Sequence, residues 1–439
     1  MKTRCFIIPL IAASAFMPFA ASAQVNQGAA PSVLGAQASV GAFYSSYTVQ
    51  PIWFRGGVAS PAIGELVRIL RRAPFDGFTA GPQLAAQVEA TVAALNPTRR
   101  SEVAAAERTL STAWVAYAQA MKRRTPGMIY AYPVLAPQGG RTDQILLSAA
   151  AASSLAVHLN SVANPNQIYS QLREAAWQQA QATGNMVPDP RLIANLDRAR
   201  SLPGGGKFIL VDSGSQQLYM YENGQQVDSM KVVVGDKEKL GLPTPLIASV
   251  IHYMTFNPYW NVPHHLVRKM VGNPAFMKSP AKYLKSKNYE VMSDWTEGAT
   301  ALSPDSIDWK AVLSGEKQVR VRQLPGPLNS MGKMKFPFPS GQDIYLHDTP
   351  TREYFAKANR ALSNGCVRLE AAPRLARFLL GSDPVPPSKD PEIRTQLPQG
   401  VPVYLTYLTA KPTPEGVAYL PDIYGWDAPG AQVAAVGQQ

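Results

Sequence analysis

A run of three glycines, Gly204–Gly206, divides this 439-residue chain into two parts with different hydrophobic periods. Before it, apolar residues recur at the spacing of one helix face, as in the set Ile63, Leu66, Val67 and Leu70. After it, short apolar runs stand between turn signals, which is typical of β-strands. We therefore predict an α+β multidomain protein, with a mostly helical scaffold domain at 61–200 and a mainly β domain at 207–408. The glycine run itself lacks the spacing and the lysine of a phosphate-binding loop, so it is predicted to be a linker turn.

The first 23 residues have the composition of an export signal. A short basic region precedes an apolar stretch at 6–20, and Ala21–Ala23 has the small residues that a signal peptidase requires. We expect cleavage after Ala23, a periplasmic location and no transmembrane segment in the remaining chain; an uncleaved anchor is the alternative. Residues 24–60 are predicted to form a flexible lead and residues 424–439 a loose C-terminal tail.

The formal net charge is +12 and falls to +10 when Lys2 and Arg4 leave with the signal. A basic surface favours anionic partners such as nucleic acid, phospholipid or an anionic wall polymer. An exported protein rarely meets nucleic acid, and the basic residues are scattered, so no nucleic-acid partner is expected. A surface that is merely soluble and basic is the alternative interpretation.

Cysteine usage singles out one residue. Cys5 leaves with the signal, so Cys366 alone remains in an oxidising compartment, where cysteines usually occur in pairs. A lone thiol there is either an apolar filler or a reactive group. The count alone does not decide between them.

The neighbourhood of Cys366 favours a reactive thiol. A predicted strand ends at His347, a helix is predicted from Thr349 towards Leu362, and a tight turn then presents Cys366. A strand–helix–turn unit can bring its two ends together. An imidazole beside a thiol accepts its proton and lowers the cysteine pKa, which creates a nucleophile for an amide carbonyl.

Nearby residues supply the other roles that this chemistry needs. Backbone N–H groups of the Gly365 turn are candidate oxyanion donors, and the Tyr345 hydroxyl is a further one, unless it is an ordinary strand tyrosine. The Asp348 side chain points to the opposite face of the strand, so a backbone carbonyl is expected to hold the His347 ring. Arg368 shares a strand face with Cys366 and is expected to bind a substrate carboxylate, with a structural salt bridge as the alternative.

A zinc site is the competing interpretation of the side chains that can coordinate this metal, which are His252, His264, His265, His347 and Cys366. Adjacent histidines on a strand point apart, and these positions do not have metal-ligand spacing. No metal is therefore expected.

The pattern of His347, a spacer and Ser363-Asn364-Gly365-Cys366-Val367-Arg368 resembles the catalytic signature of the L,D-transpeptidase (YkuD-type) family, which is histidine followed by Ser/Thr-x-Gly-Cys. Most members carry histidine before that glycine, whereas this chain has Asn364, a position at which the long-form, YcbB-like branch tolerates substitution. Further segments resemble that branch: 195–200, 231–235, 257–263, 325–329 and 345–350.

The resemblance implies a peptidoglycan enzyme without metal or cofactor. Cys366 would attack the diaminopimelate carbonyl of a tetrapeptide stem, release D-alanine and pass the acyl group to an acceptor amine, forming a 3→3 cross-link. Segment 257–332 would be a capping subdomain over the active site. Carbapenems should acylate the same cysteine. Substrate contacts beside Arg368 are assigned to Ser363, Asn364 and Trp260.

The sequence leaves the outcome of the acyl transfer open. The acceptor can be another stem, or the amine of an outer-membrane protein or lipoprotein. A hydrolase is the main alternative, either an L,D-carboxypeptidase or an enzyme that links or releases proteins at the wall, since water replaces the amine if the cap is more open. A non-enzymatic wall-binding scaffold is a more distant possibility.

Overall fold

The computed structural model describes residues 32–47, 49–431 and 433. The predicted export signal at 1–23 and the start of the predicted lead lie outside these residues. Within the described part, no helix combines the length and the apolar character needed to cross a bilayer.

Helices make up the first part of the described chain, as predicted. They are α1 Val33–Ser46, α2 Ala62–Arg72, α3 Gly81–Ala93, α4 Arg100–Met121, α5 Thr142–Ala151, α6 Leu155–Ala163, α7 Gln167–Thr183 and α8 Pro190–Ala199. Their core contains a buried polar centre, in which the Asp76 carboxylate accepts hydrogen bonds from Tyr117, Tyr169 and Arg173. Because a buried carboxylate needs such partners, this centre fixes how the helices pack.

The prediction of a flexible lead at 24–60 is wrong for the described residues. Residues 33–46 form α1, and Ala36, Val40 and Phe43 lie buried along one face. The backbone N–H groups of Ile52 and Trp53 then donate to the Glu107 carboxylate on α4. The composition concealed this helix because its apolar stripe is short and its other residues are small.

The remaining elements are mostly strands. They are β1 Ile129–Tyr130, β2 Phe208–Asp212, β3 Gln217–Glu222, β4 Gln225–Gly235, β5 Ile247–Phe256, β6 Trp260–Asn261, β7 Tyr289–Met292, β8 Ala301–Leu302, β9 Arg320–Gln323, β10 Met334–Pro337, β11 Tyr345–His347, β12 Ala361–Ser363, β13 Val367–Leu369, β14 Ile393–Thr406, β15 Ala410–Thr413 and β16 Gly416–Tyr419. Helices among them are α9 Lys237–Leu240, α10 His264–Val271, α11 Pro274–Lys278, α12 Pro280–Ser286, α13 Trp309–Ser314 and α14 Ala372–Leu380.

The main sheet has the order β1-β5-β10-β11-β13-β4-β3-β2-β14, and β12 pairs with β4. Because β14 also pairs with β5, the sheet closes on itself. The first strand, β1, comes from the helical region and pairs with β5, so the two regions share one sheet. The Asn223-Gly224 turn joins β3 to β4 with positive φ at both residues, which confirms the predicted hairpin.

The segment between β5 and β10 forms a separate unit, which we call the inserted unit (residues 257–333). It contains the four-stranded sheet β6-β9-β7-β8 and helices α10 to α13. Its buried side chains form their own cluster around Phe276, Trp309 and Val321. The inserted unit therefore has a hydrophobic core of its own, separate from that of the main sheet.

The prediction of a loose tail at 424–439 is wrong for its first residues. The rings of Tyr424 and Trp426 are buried; Tyr424 stacks on Tyr407, and Trp426 meets Tyr407 edge to face. Asp427 forms a buried ion pair with Arg198 on α8. Aromatic burial and a paired buried charge therefore anchor this segment to the helical region.

Candidate active site

Two neighbouring parallel strands, β11 and β13, position the predicted catalytic residues. Their register pairs Leu346 with Val367 and His347 with Arg368. Leu346 and Val367 are fully buried in the core, and side chains alternate along a strand. The opposite face therefore carries Tyr345, His347, Cys366 and Arg368. His347 is the last residue of β11, and Cys366 directly precedes the first residue of β13.

The connection between β11 and the Cys366 turn differs from the predicted helix at 349–362. Only a short 3-10 helix forms at Arg352–Ala356, and the chain then becomes β12 beside β4. The buried guanidinium of Arg360 donates to the carbonyls of Gln216 and Val232 and so draws this segment onto the sheet. A tertiary contact thus overrides the local helix signal.

The turn before the thiol is held by a small network. Gly365 has φ +107°, where a side chain is strained, and an added Cβ would lie 3.1 Å from Ile344 Cδ1. Ser363 Oγ donates to the Cys366 carbonyl at 2.6 Å and accepts from the Gly365 N–H at 3.2 Å. The Thr244 hydroxyl donates to the Gly365 carbonyl. Ser363 is 2% exposed, and its side chain holds the turn through these two hydrogen bonds.

The thiol is a neutral group in this environment. Cys366 Sγ lies 3.6 Å from the carbonyl oxygen of Asp343, to which the thiol donates. Burial raises the pKa of the Cys366 thiol, while the Tyr345 backbone N–H and the Arg368 cation oppose that rise. This direction is opposite to the lowered thiol pKa that an adjacent imidazolium would produce.

The His347 ring is oriented by the backbone, as expected. Its side chain is 4% exposed, and Nδ1 lies 2.6 Å from the carbonyl oxygen of Asp348. Since a carbonyl oxygen only accepts, Nδ1 carries the proton and Nε2 keeps its lone pair. Burial, with the Arg368 cation second, lowers the pKa of His347 to about 3. The imidazole is thus a neutral base at physiological pH.

Asp348 connects this base to the inserted unit. Its carboxylate accepts the backbone N–H of Lys333, where the inserted unit returns to β10, at 2.9 Å. Gly332 has φ +61°, and a Cβ at that position would collide with the Asp348 side chain. The base of the inserted unit is therefore packed against the residue that follows His347.

Arg368 is a cation without an acidic partner. None of the ion pairs among the described residues involves Arg368. Its guanidinium lies 5.5 Å from the centre of the Tyr354 ring, and its buried Nε has no hydrogen-bond partner. Within the part of the chain that the structure describes, Arg368 therefore does not form the salt bridge that was its alternative role.

The remaining predicted site residues are Tyr345, Asn364 and Trp260. The Tyr345 hydroxyl donates to Asp343 Oδ1 at 3.3 Å. Asn364 is half-exposed in the turn. Trp260 lies in β6, with its ring 6.3 Å from that of Tyr289, inside the inserted unit.

Across residues 32–47, 49–431 and 433, no three histidine, cysteine or acidic side chains cluster as metal ligands would.

Sequence reasoning missed Asp343 and Thr244. Asp343 has φ +50° and contributes its carbonyl to the thiol and its carboxylate to Tyr345. Thr244 lies more than a hundred residues from the turn that it supports. The sequence Gly341-Gln342-Asp343 before a predicted strand indicates a turn. It does not indicate that this turn contacts the Cys366 thiol.

Two family models match the chain. The L,D-transpeptidase catalytic domain (YkuD) matches residues 206–386, and the Scaffold domain matches residues 38–175. A candidate L,D-transpeptidase of Haemophilus influenzae is 30% identical over 320 residues, which are 71% of this chain and 63% of that protein. The match thus spans less than two thirds of the relative's own length.

Two solved structures were also found. An L,D-transpeptidase from Mycobacterium smegmatis is 13% identical, with 46% of this chain and 59% of that chain covered and a TM-score of 0.23. Mycobacterium tuberculosis L,D-transpeptidase 1 is 11% identical, with 46% and 62% covered and a TM-score of 0.20. By its two family models, the chain carries an L,D-transpeptidase catalytic domain of the YkuD type behind a Scaffold domain.

Proposed function

We propose that this protein is a periplasmic peptidoglycan L,D-transpeptidase with Cys366 as its nucleophile. The sulfur attacks the diaminopimelate carbonyl of a tetrapeptide stem, D-alanine leaves, and an amine of an acceptor stem then takes the acyl group. The observation that supports the proposal is that His347 ends β11 and Cys366 directly precedes β13, the parallel neighbour of β11, within the domain that matches the family model.

His347 is the proton carrier in this proposal. Nε2 takes the thiol proton as the sulfur attacks and returns it to the departing amine of D-alanine. The Asp348 carbonyl supports this role because it holds the proton on Nδ1. The tetrahedral oxyanion needs donors, and the Gly365 N–H already donates to Ser363. The Cys366 N–H is therefore our candidate donor in that turn.

Arg368 is proposed to bind a carboxylate of the stem. A half-buried cation whose Nε is buried without a hydrogen-bond partner, and which has no acid partner among the described residues, is suited to a bidentate anionic ligand. In the resting site the Arg368 charge lowers the pKa of His347. A bound carboxylate would partly neutralise that charge and so raise the His347 pKa, which makes the imidazole a better proton acceptor when the substrate is present.

Replacing Arg368 by glutamine is expected to raise the thiol pKa further, because the Arg368 cation favours the thiolate. The pH profile of Cys366 alkylation by iodoacetamide, measured by mass on its peptide, should move to higher pH. Loss of a hydrogen bond to a charged ligand, about 1.5–3 kcal/mol, should lower kcat/KM by about 10- to 100-fold. Arg374→Gln, which removes an arginine paired with Asp228, is the control. An unchanged alkylation profile in the Arg368 variant would contradict this role.

Incubation with disaccharide-tetrapeptide, followed by mass analysis of the products, tests the proposed function. A dimer linked 3→3 with release of D-alanine is the expected result. Tripeptide as the sole product would indicate a carboxypeptidase, and an unchanged substrate with an intact thiol would indicate a non-enzymatic scaffold. Adding an outer-membrane protein or lipoprotein as a second amine tests whether the acceptor is a protein.

A further inference from the structure

One stretch of the inserted unit carries positive charge without any negative charge. Residues 262–289 contain six lysine or arginine residues and no aspartate or glutamate. They lie on and beside helices α10, α11 and α12, and all six are exposed. We call these residues the basic surface: Arg268, Lys269, Lys278, Lys282, Lys285 and Lys287.

These charges are not neutralised within the described chain. None of the six takes part in an ion pair there. Glu290, the first acid after the stretch, already pairs with Arg322 on β9. Like charges on three short consecutive helices repel one another, so the arrangement costs stability that an anionic partner would restore.

The character of the surface favours a polymer of carboxylates over a lipid bilayer. Among the large apolar side chains of α10 to α12, only Met277 is exposed, at 38%. A helix that inserts into a membrane surface presents a wide apolar face beside its basic residues. A lysine side chain carries a compact charge on a flexible stem. Exposed lysines without an apolar face beside them therefore suit a ligand with many loosely spaced anions better than they suit a membrane surface.

The inserted unit also connects to the catalytic strand. It returns to the main sheet at Lys333, whose N–H donates to the Asp348 carboxylate, next to His347. A polymer held on the inserted unit would therefore stay attached to the same domain as Cys366. This raises the local concentration of stem peptides at the turn.

We propose that the basic surface docks the peptidoglycan strand through the free carboxylates of its stem peptides, away from the stem that reacts. The proposal rests on the proposed function for its choice of polymer. Binding at the basic surface is electrostatic and depends on salt, and it does not contribute to the chemical step.

The test compares two triple variants with the same change of net charge. One carries Lys278→Gln, Lys282→Gln and Lys285→Gln in the basic surface. The control carries Lys239→Gln, Lys389→Gln and Lys411→Gln, which replace exposed lysines outside the inserted unit. Co-sedimentation with purified sacculi is measured at about 0.1 M and about 1 M salt, over which the Debye length falls from about 10 Å to about 3 Å.

We expect the basic-surface variant to bind sacculi about tenfold more weakly than the unchanged protein at the lower salt. The control should bind like the unchanged protein, and all three should be released at the higher salt. An equal loss in both variants would overturn the proposal, because it would reflect net charge alone.

Two further readouts separate this proposal from the proposed function. Turnover of soluble disaccharide-tetrapeptide should be unchanged in both variants. If no protein turns over that substrate, the proposed function fails, while a selective loss of sacculus binding still supports docking. Vesicles of anionic phospholipid are the second ligand. A variant that loses only vesicle binding would assign the surface to a membrane and overturn the proposal.

Discussion

Replacing Cys366 by alanine is expected to abolish acylation by a carbapenem. The strained amide of the drug reports the first half of the proposed reaction, in which a bond forms between sulfur and the carbonyl carbon. Without the sulfur no acyl-enzyme forms, and turnover should fall by more than about 10³-fold. The mass of the intact protein after incubation with the drug measures the adduct directly.

The chain offers a matched control in its other cysteine. Cys5→Ala should leave the adduct unchanged, because Cys5 lies in the predicted export signal. The side chain at 366 is small and half-buried, so the alanine variant should keep its fold, which thermal unfolding checks. A carbapenem adduct that persists in the Cys366 variant would refute the assignment of the nucleophile.

Replacing His347 by glutamine is expected to slow acylation by about 10²- to 10⁴-fold and to change its pH dependence. In the unchanged protein the resting pair is a neutral thiol and a neutral imidazole. The thiol pKa is raised by burial, and that of His347 is lowered to about 3. Between about pH 5 and pH 8 neither group titrates, so the rate should be flat.

Without the base, attack requires a free thiolate. The rate of the His347 variant should therefore rise by about tenfold per pH unit over the same range. Stopped-flow or timed mass measurements of carbapenem acylation give both profiles. His158→Gln, which changes a histidine of the helical region, should keep the flat profile. A flat profile in the His347 variant would show that another group takes the proton.

Strand alternation made the catalytic face predictable. The sequence alone placed Cys366 and Arg368 on one side of a strand, turned the Asp348 side chain away and assigned the His347 ring to a backbone carbonyl. In the structure the Asp348 carboxylate contacts the Lys333 N–H, and the Asp348 carbonyl holds the His347 ring. Each prediction follows from a period of two, which needs no knowledge of distant residues.

The protonation state could not be predicted in the same way. A neighbouring imidazole suggested a lowered thiol pKa, but the pKa depends on how much water the folded site excludes. The carbonyl of Asp343 and the hydroxyl of Thr244 also reach the site through tertiary contacts. A tertiary contact also explains why the predicted helix after Thr349 does not form. The buried Arg360 side chain donates to the Val232 carbonyl and holds this segment against the sheet.

The packing of Gly332 against Asp348 makes the proton acceptor sensitive to events outside its own strand. Asp348 holds the His347 ring with its carbonyl and the base of the inserted unit with its carboxylate. A displacement of that unit would be transmitted through a single residue to the orientation of the imidazole. A substitution at Gly332 would therefore disturb the imidazole although it contacts neither the sulfur, the ring nor the scissile bond.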